Sequence, residues 1–136
     1  MKIVSFLLGI ALLPASSALL AGNVFIAETP GHTRFFIDDA AIMDIGSPEG
    51  HIRQAVILTE RPRKPQDGST KVQVRARTLM QFKCANRSYR EIETAAFYSD
   101  GTAQIVVPRS EQREFSSIAP GSFEEKIADA ACKPRS

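Results

Sequence analysis

The sequence predicts an α+β domain: an antiparallel meander sheet of about six strands, with one C-terminal helix packed on it and tied by a disulfide. Three observations carry that expectation. Apolar and polar residues alternate with period two from Lys71 to Cys84, the mark of a strand with one buried and one wet face. Ser122-Phe123-Glu124-Glu125 is the one strong helix-start signature, a Ser followed three residues later by a Glu. Cys84 ends the longest alternating segment and Cys132 ends the predicted helix, so a bond between them would fasten the two together. At 136 residues one domain is expected, because a second would lack residues for its own core.

The first 21 residues read as a signal peptide, leaving a single mature domain from 22 to 136. Lys2 supplies a short basic start and residues 3–13 an apolar run, followed by Pro14 and the small residues Ser16, Ser17, Ala18, Ala21 and Gly22, the order of parts in an export signal. That run is shorter than the roughly 20 residues needed to span a bilayer, and no later segment approaches that length. An uncleaved N-terminal anchor is the rival reading. The cleavage region has no cysteine to accept a lipid, so a periplasmic, secreted or cell-surface location without a lipid anchor is expected. In an oxidising compartment two cysteines most simply pair. They lie 48 positions apart, and closing such a loop is worth roughly 4 kcal/mol. A reactive thiol pair is the competing reading, and no Cys-x-x-Cys spacing supports it.

The elements follow in order. Arg34-Phe35-Phe36-Ile37-Asp38 reads as a short strand, and residues 41–45 continue it or form another. Gly46-Ser47-Pro48-Glu49-Gly50 has turn composition. Residues 52–59 are β-branched and apolar, as in a central strand. Residues 61–69, with two prolines, a glycine and mixed charge, read as an exposed loop. In the long alternating segment Val72, Val74, Ala76, Thr78, Met80, Phe82 and Cys84 share the core side, and a bulge is expected near Thr78-Leu79, where the alternation falters. Asn86-Arg87-Ser88 is a turn. Residues 89–98 resume as a strand, with Ile92, Thr94, Ala96 and Tyr98 on one face. Asp100-Gly101 suits a tight hairpin in which both residues take φ > 0, and residues 103–107 return to Pro108. In the helix Phe123, Ile127 and Ala131 recur at i, i+4 and i+8, giving a narrow apolar stripe, and Pro134 stops its continuation.

This order of parts resembles the surface-adhesin protein E-like domain family of Gram-negative bacteria. The likeness rests on the Phe-Phe-Ile-Asp strand, the strand ending in Phe82-Lys83-Cys84-Ala85-Asn86-Arg87, Tyr98 before Asp100-Gly101, and Ile118-Ala119-Pro120-Gly121-Ser122 leading into a helix closed by Cys132. It runs from about Val24 to Lys133. The resemblance implies an antiparallel sheet with a stapled C-terminal helix, and a non-enzymatic exported binding module that contacts extracellular or envelope ligands. No binding motif of the family matches residues here, so none is carried over.

The remaining chemistry is sparse. With 17 basic and 15 acidic residues the formal charge is +2, which gives no global attraction to nucleic acid. Asp38 and Asp39 point to opposite faces of a strand and cannot share a proton; one is expected to cap a turn. His32 and His51 with the two cysteines match no zinc spacing, so no metal or other cofactor is expected. Cys84, His51 and Asp38 could form a catalytic set only if the cysteine were a free, exposed thiol. The candidate ligand surface is basic. Lys71, Arg75 and Arg77 lie on the wet side of the long strand and Arg61, Arg63 and Lys64 in the adjoining loop. Residues two apart on a strand stand about 6.6 Å apart, a spacing that suits neighbouring anionic groups of a polyanion such as a sulfated glycan or lipopolysaccharide phosphate; the expected partner is a polyanionic glycan or a protein. The bland reading pairs these arginines with Glu91 and Glu93 across the hairpin. A periplasmic inhibitor of a lytic enzyme or protease is the alternative function. The sheet's free edges also leave a homodimer open to the chain.

Overall fold

The computed structural model describes residues 22–47, 50–61 and 72–134. The predicted signal peptide, residues 1–21, lies outside the described residues, as does most of the 61–69 loop. Eight strands form one sheet in which every pairing is antiparallel: β1 (Asn23–Glu28), β2 (Arg34–Asp38), β3 (Met43–Ser47), β4 (Gly50–Glu60), β5 (Gln73–Lys83), β6 (Ser88–Tyr98), β7 (Ala103–Val106) and β8 (Ser116–Ser117). The spatial order is β1-β2-β4-β5-β6-β7, with β3 also paired to β4 and β8 to β6. One α-helix among the described residues, α1 (Phe123–Ala131), follows. The predicted sheet, helix and disulfide are therefore present, and β1 and β8 raise the strand count above the six read from the sequence.

Alternation decides which side of the sheet meets the helix. The register aligns Ile37 with Ile57, Ala55 with Met80, and Arg53 with Phe82, so these side chains rise from one face. Ile37, Ala55, Ile57, Met80 and Phe82 form a buried cluster with Ile127, Ala128 and Ala131 of α1, joined by Ile42 and Ile118. Phe35 and Phe123 meet at its margin, ring centroids 4.3 Å apart. The helix stripe is wider than Phe123, Ile127 and Ala131 alone, because Ala128 is 98% enclosed beside them (2% exposed).

Helix α1 is held at both ends. At its start, the Ser122 hydroxyl accepts the Glu125 N–H at 3.3 Å. The Glu125 carboxylate reaches back to the Gly121 N–H at 3.4 Å, one residue beyond the usual capping-box donor. At its end, Cys132 is bonded to Cys84, with Cα atoms 5.8 Å apart. Arg53 reinforces this end from β4. Its guanidinium donates to the Ala131 carbonyl at 3.3 Å and the Lys133 carbonyl at 2.6 Å, filling acceptors that a helix C-terminus leaves open. The same side chain donates from Nε to Asp44 of β3 at 2.9 Å. Arg87, in the turn after β5 and at φ 52°, reaches Asp129 and Glu125 on the helix flank at 3.2 and 3.5 Å.

Three local expectations are refined. The bulge falls where the alternation falters, between Leu79 and Met80, but the extra residue is Ile92 on β6, since Leu79 faces Glu93 and Met80 faces Glu91. Consequently Tyr89 and Glu91 share a face with Thr94 and Ala96, and Ile92 is not part of a simple stripe. In the β6–β7 turn only Gly101 takes positive φ (85°); Asp100 instead accepts the Thr102 N–H and hydroxyl at 3.0 and 2.6 Å. Asp38 stands at the start of a short 3-10 turn at Asp39–Ala41 without a side-chain cap bond and pairs with Asn23 of β1.

Two outcomes follow. Ile127→Ala is expected to cost about 2–5 kcal/mol in urea unfolding, whereas Ile105→Ala, 68% exposed, should stay within about 0.5 kcal/mol. The Arg53 guanidinium, aided by His51, holds the Asp44 carboxyl below the usual carboxylate range. A carboxyl with a lower pKa folded than unfolded contributes stability above its unfolded pKa and loses it as pH falls through the folded value. Thermal melts should therefore fall on acidification below about pH 4, and Asp44→Asn should flatten that decline.

Candidate functional site

The face opposite α1 carries Arg75 and Arg77 of the predicted basic residues. Register places Glu60 of β4 opposite Arg34 of β2 and opposite Arg75 of β5, and Leu58 opposite Arg77. On β6, Phe97 stands opposite Arg75 and Ala95 opposite Arg77. The Arg75 guanidinium lies 5.9 Å from the Phe97 ring centre. Arg75 and Arg77 are both exposed, and neither forms an ion pair among the described residues. The Ile92 bulge swings Glu91 toward the helix side opposite Met80, whereas Glu93, opposite Leu79, stays on the arginine face diagonal to Arg77.

Farther along the same face the cations are engaged. Lys83 and Arg90 stack on Phe115, each 4.3 Å from the ring centre. Arg90 also donates to Gln81 at 2.9 Å, and Gln81 to Gln54 at 3.0 Å. This end of the face is knitted together, whereas the Arg75–Arg77 end is open.

At that open end the sheet rim forms a groove of about 560 Å³ lined by Glu28, His32, Arg34, Glu60, Arg61, Val74 and Arg75. Arg34 and Glu60 pair at 2.8 Å, and His32 approaches Glu28 at 3.7 Å. Arg61 is exposed, with its backbone N–H bonded to the Val74 carbonyl at 2.8 Å. Of the six predicted ligand residues, the structure thus brings Arg61 and Arg75 to one groove and sets Arg77 on the adjoining face. Lys71, Arg63 and Lys64 lie outside the described residues. Sequence reading missed Glu28, His32, Arg34 and Glu60, whose meeting depends on the β1–β2 hairpin and on the β2–β4 register.

A second, smaller recess of about 220 Å³ lies between α1 and the sheet. Phe35, Ile57, Met80, Phe123 and Ile127 give it an apolar lining, with Tyr89, Glu91 and Glu124 at its polar margin. Burial pushes the Tyr89 phenol above its ordinary range, and the Glu124 and Glu91 charges add to the effect. The phenol is therefore held protonated.

The catalytic set considered from sequence does not assemble. Cys84 is bonded to Cys132, and His51 is exposed and approaches Asp44 at 3.3 Å. Among the described residues no three His, Cys, Asp or Glu side chains gather as metal ligands, and no helix is long and apolar enough to cross a membrane.

These features define a small disulfide-closed β domain whose polar chemistry lies on an open sheet face and rim. The chain belongs to the surface-adhesin protein E family, whose model matches residues 24–133. Its fold is that of Haemophilus influenzae protein E. One crystal form of that protein is 14% identical with a TM-score of 0.56, covering 82% of this chain and 87% of that one. A selenomethionine form is 16% identical with a TM-score of 0.56, covering 82% and 86%. Comparison with curated proteins finds no significant match.

In a Tyr98→Phe background, ultraviolet titration should show the Tyr89 phenol ionising above the value of about 10 for free tyrosine. Glu124→Gln should move that ionisation downward. An unmoved midpoint would mean that the helix carboxylate does not face the ring.

Proposed function

We propose that this chain is an exported, non-enzymatic binding module that takes a polyanionic glycan on its outer face and rim. Residues 1–21 act as the export signal, and residues 22–136 form the single mature domain. The observation that carries the reading is that Arg75 and Arg77 are exposed side by side on the outer face, with Glu91 turned to the helix side by the Ile92 bulge. Two exposed arginines whose backbone positions stand about 6.6 Å apart can each engage an anionic group on a repeating chain, and Arg's planar fork favours sulfate and phosphate geometry. Arg61 widens this surface at the rim, and Arg63, Lys64 and Lys71 are assigned to it from their sequence positions. Membership in the surface-adhesin protein E family supports an envelope or extracellular setting. The open rim favours a long ligand that lies across it over a small molecule enclosed by it.

Retention on a heparin column tests this. Arg75→Ala/Arg77→Ala should weaken heparin affinity about tenfold or more, the loss expected when two charge-assisted contacts are removed. Lys126→Ala, on the exposed side of α1, should leave it unchanged. Equal retention of all three proteins would reject the reading. Capture of a lysozyme-like enzyme or protease with no glycan affinity would place the chain among periplasmic inhibitors.

A further inference from the structure

The recess beneath α1 takes no part in the chemistry of the outer face. It lies under the first half of the helix: Phe123, Glu124 and Ile127 line it, whereas Ala128 and Ala131 do not. Register sets its floor. Phe35 stands opposite Thr59, Ile57 opposite Thr78, and Met80 opposite Glu91, all on the helix side of the sheet. The Phe35 and Phe123 rings meet at 57° with centroids 4.3 Å apart. The Thr78 hydroxyl already shares a hydrogen bond with that of Thr94 at 3.1 Å. A volume of about 220 Å³ equals roughly seven waters at about 30 Å³ each. That is room for a small organic molecule and too little for a drug-sized one.

We infer that this recess binds a small organic ammonium ion, its apolar body against Phe35, Phe123 and Ile127 and its charged end between Glu91, Glu124 and the Tyr89 phenol. The charge balance selects a cation. Two carboxylates stand at the margin, and none of the described lining residues is basic. Neither Glu91 nor Glu124 forms an ion pair among the described residues. The cations nearby are engaged elsewhere: Arg53 with Asp44 and the helix end, Arg87 with Glu125 and Asp129. Lys126 is on α1 but does not line the recess. Both carboxylates help to raise the Tyr89 phenol above its ordinary range, so the three polar groups share one end of the recess. The phenol oxygen can accept from an ammonium N–H. An anion would meet two like charges. A metal ion is equally unsuited, because Ca²⁺ takes about six to eight oxygen ligands and no three acidic, His or Cys side chains gather among the described residues. An ammonium on an apolar stem matches both halves. Aromatic faces attract the cation, and the apolar wall strengthens its attraction to the carboxylates. The recess faces away from Arg75 and Arg77, so this site does not depend on the glycan reading.

Titration of the mature chain with phenethylammonium, followed by NMR shifts, tests the inference against phenethyl alcohol, a neutral molecule of nearly the same shape. Phenethylammonium should bind saturably with a dissociation constant of about 1 mM, shift the Tyr89, Phe123 and Met80 signals, and bind about tenfold tighter than the alcohol. Glu91→Gln/Glu124→Gln should remove that preference and leave the affinity for the alcohol unchanged. Glu93→Gln, on the outer face opposite Leu79, should alter neither. Thermal melts check the fold of each variant. Should the double variant melt early, Glu91→Gln alone, at an exposed position, gives the same test with a smaller loss. No saturable binding, equal affinity for amine and alcohol, a preference that survives the double substitution or is lost in Glu93→Gln, or shifts centred on Arg75 would each overturn the proposal.

Discussion

A helix of nine residues is too short to persist by itself in water, because its nucleation cost is spread over too few hydrogen bonds. Here it persists because the residue that caps its end, Cys132, is bonded to Cys84, at the point where β5 turns into β6. The bond removes entropy from the unfolded chain by closing a long loop. It also fixes which side of the sheet the apolar stripe of α1 covers. Arg53 acts at the same place by a different means, presenting two carbonyls of the helix end with donors while Asp44 balances its charge. Covalent and polar restraints thus converge on one corner of the sheet.

Covering only one side has consequences for the other. With α1 committed to the Ile57–Met80–Phe82 side, the outer face has no second layer of secondary structure among the described residues. It is closed in places by its own side chains, as where Lys83 and Arg90 sandwich Phe115, and left open around Arg75 and Arg77. The Ile92 bulge then determines the character of that open region. By shifting the register of β6 by one residue, it turns Glu91 to the helix side and leaves Glu93 on the outer face opposite Leu79.

Much of the fold was readable from residue order. The alternation from Val74 to Phe82 located β5 and its buried side, parity placed Cys84 toward the core, and Ser122 with Glu125 marked the start of α1. These signals are local, set by period and by capping chemistry. What escaped was set by pairing at long range. Strand β1 shows no alternation because its ladder is broken at Ile26, and β8 is only two residues long. The turn at Asp100 takes its shape from a carboxylate accepting two bonds, which composition alone did not distinguish from a pair of positive-φ residues. Of the candidate surface, the Arg75–Arg77 spacing was legible. The rim was not, because Arg34, Glu60 and Arg75 become neighbours only through the β2–β4–β5 register.

Hydrogen exchange of the mature chain, with the Cys84–Cys132 bond intact and after its reduction, tests most directly whether this bond holds α1 on the sheet. If it does, the amides of α1 lose most of their protection on reduction, while the amides of β4, β5 and β6 remain slow. Equal protection of α1 in both states would show that packing alone retains the helix.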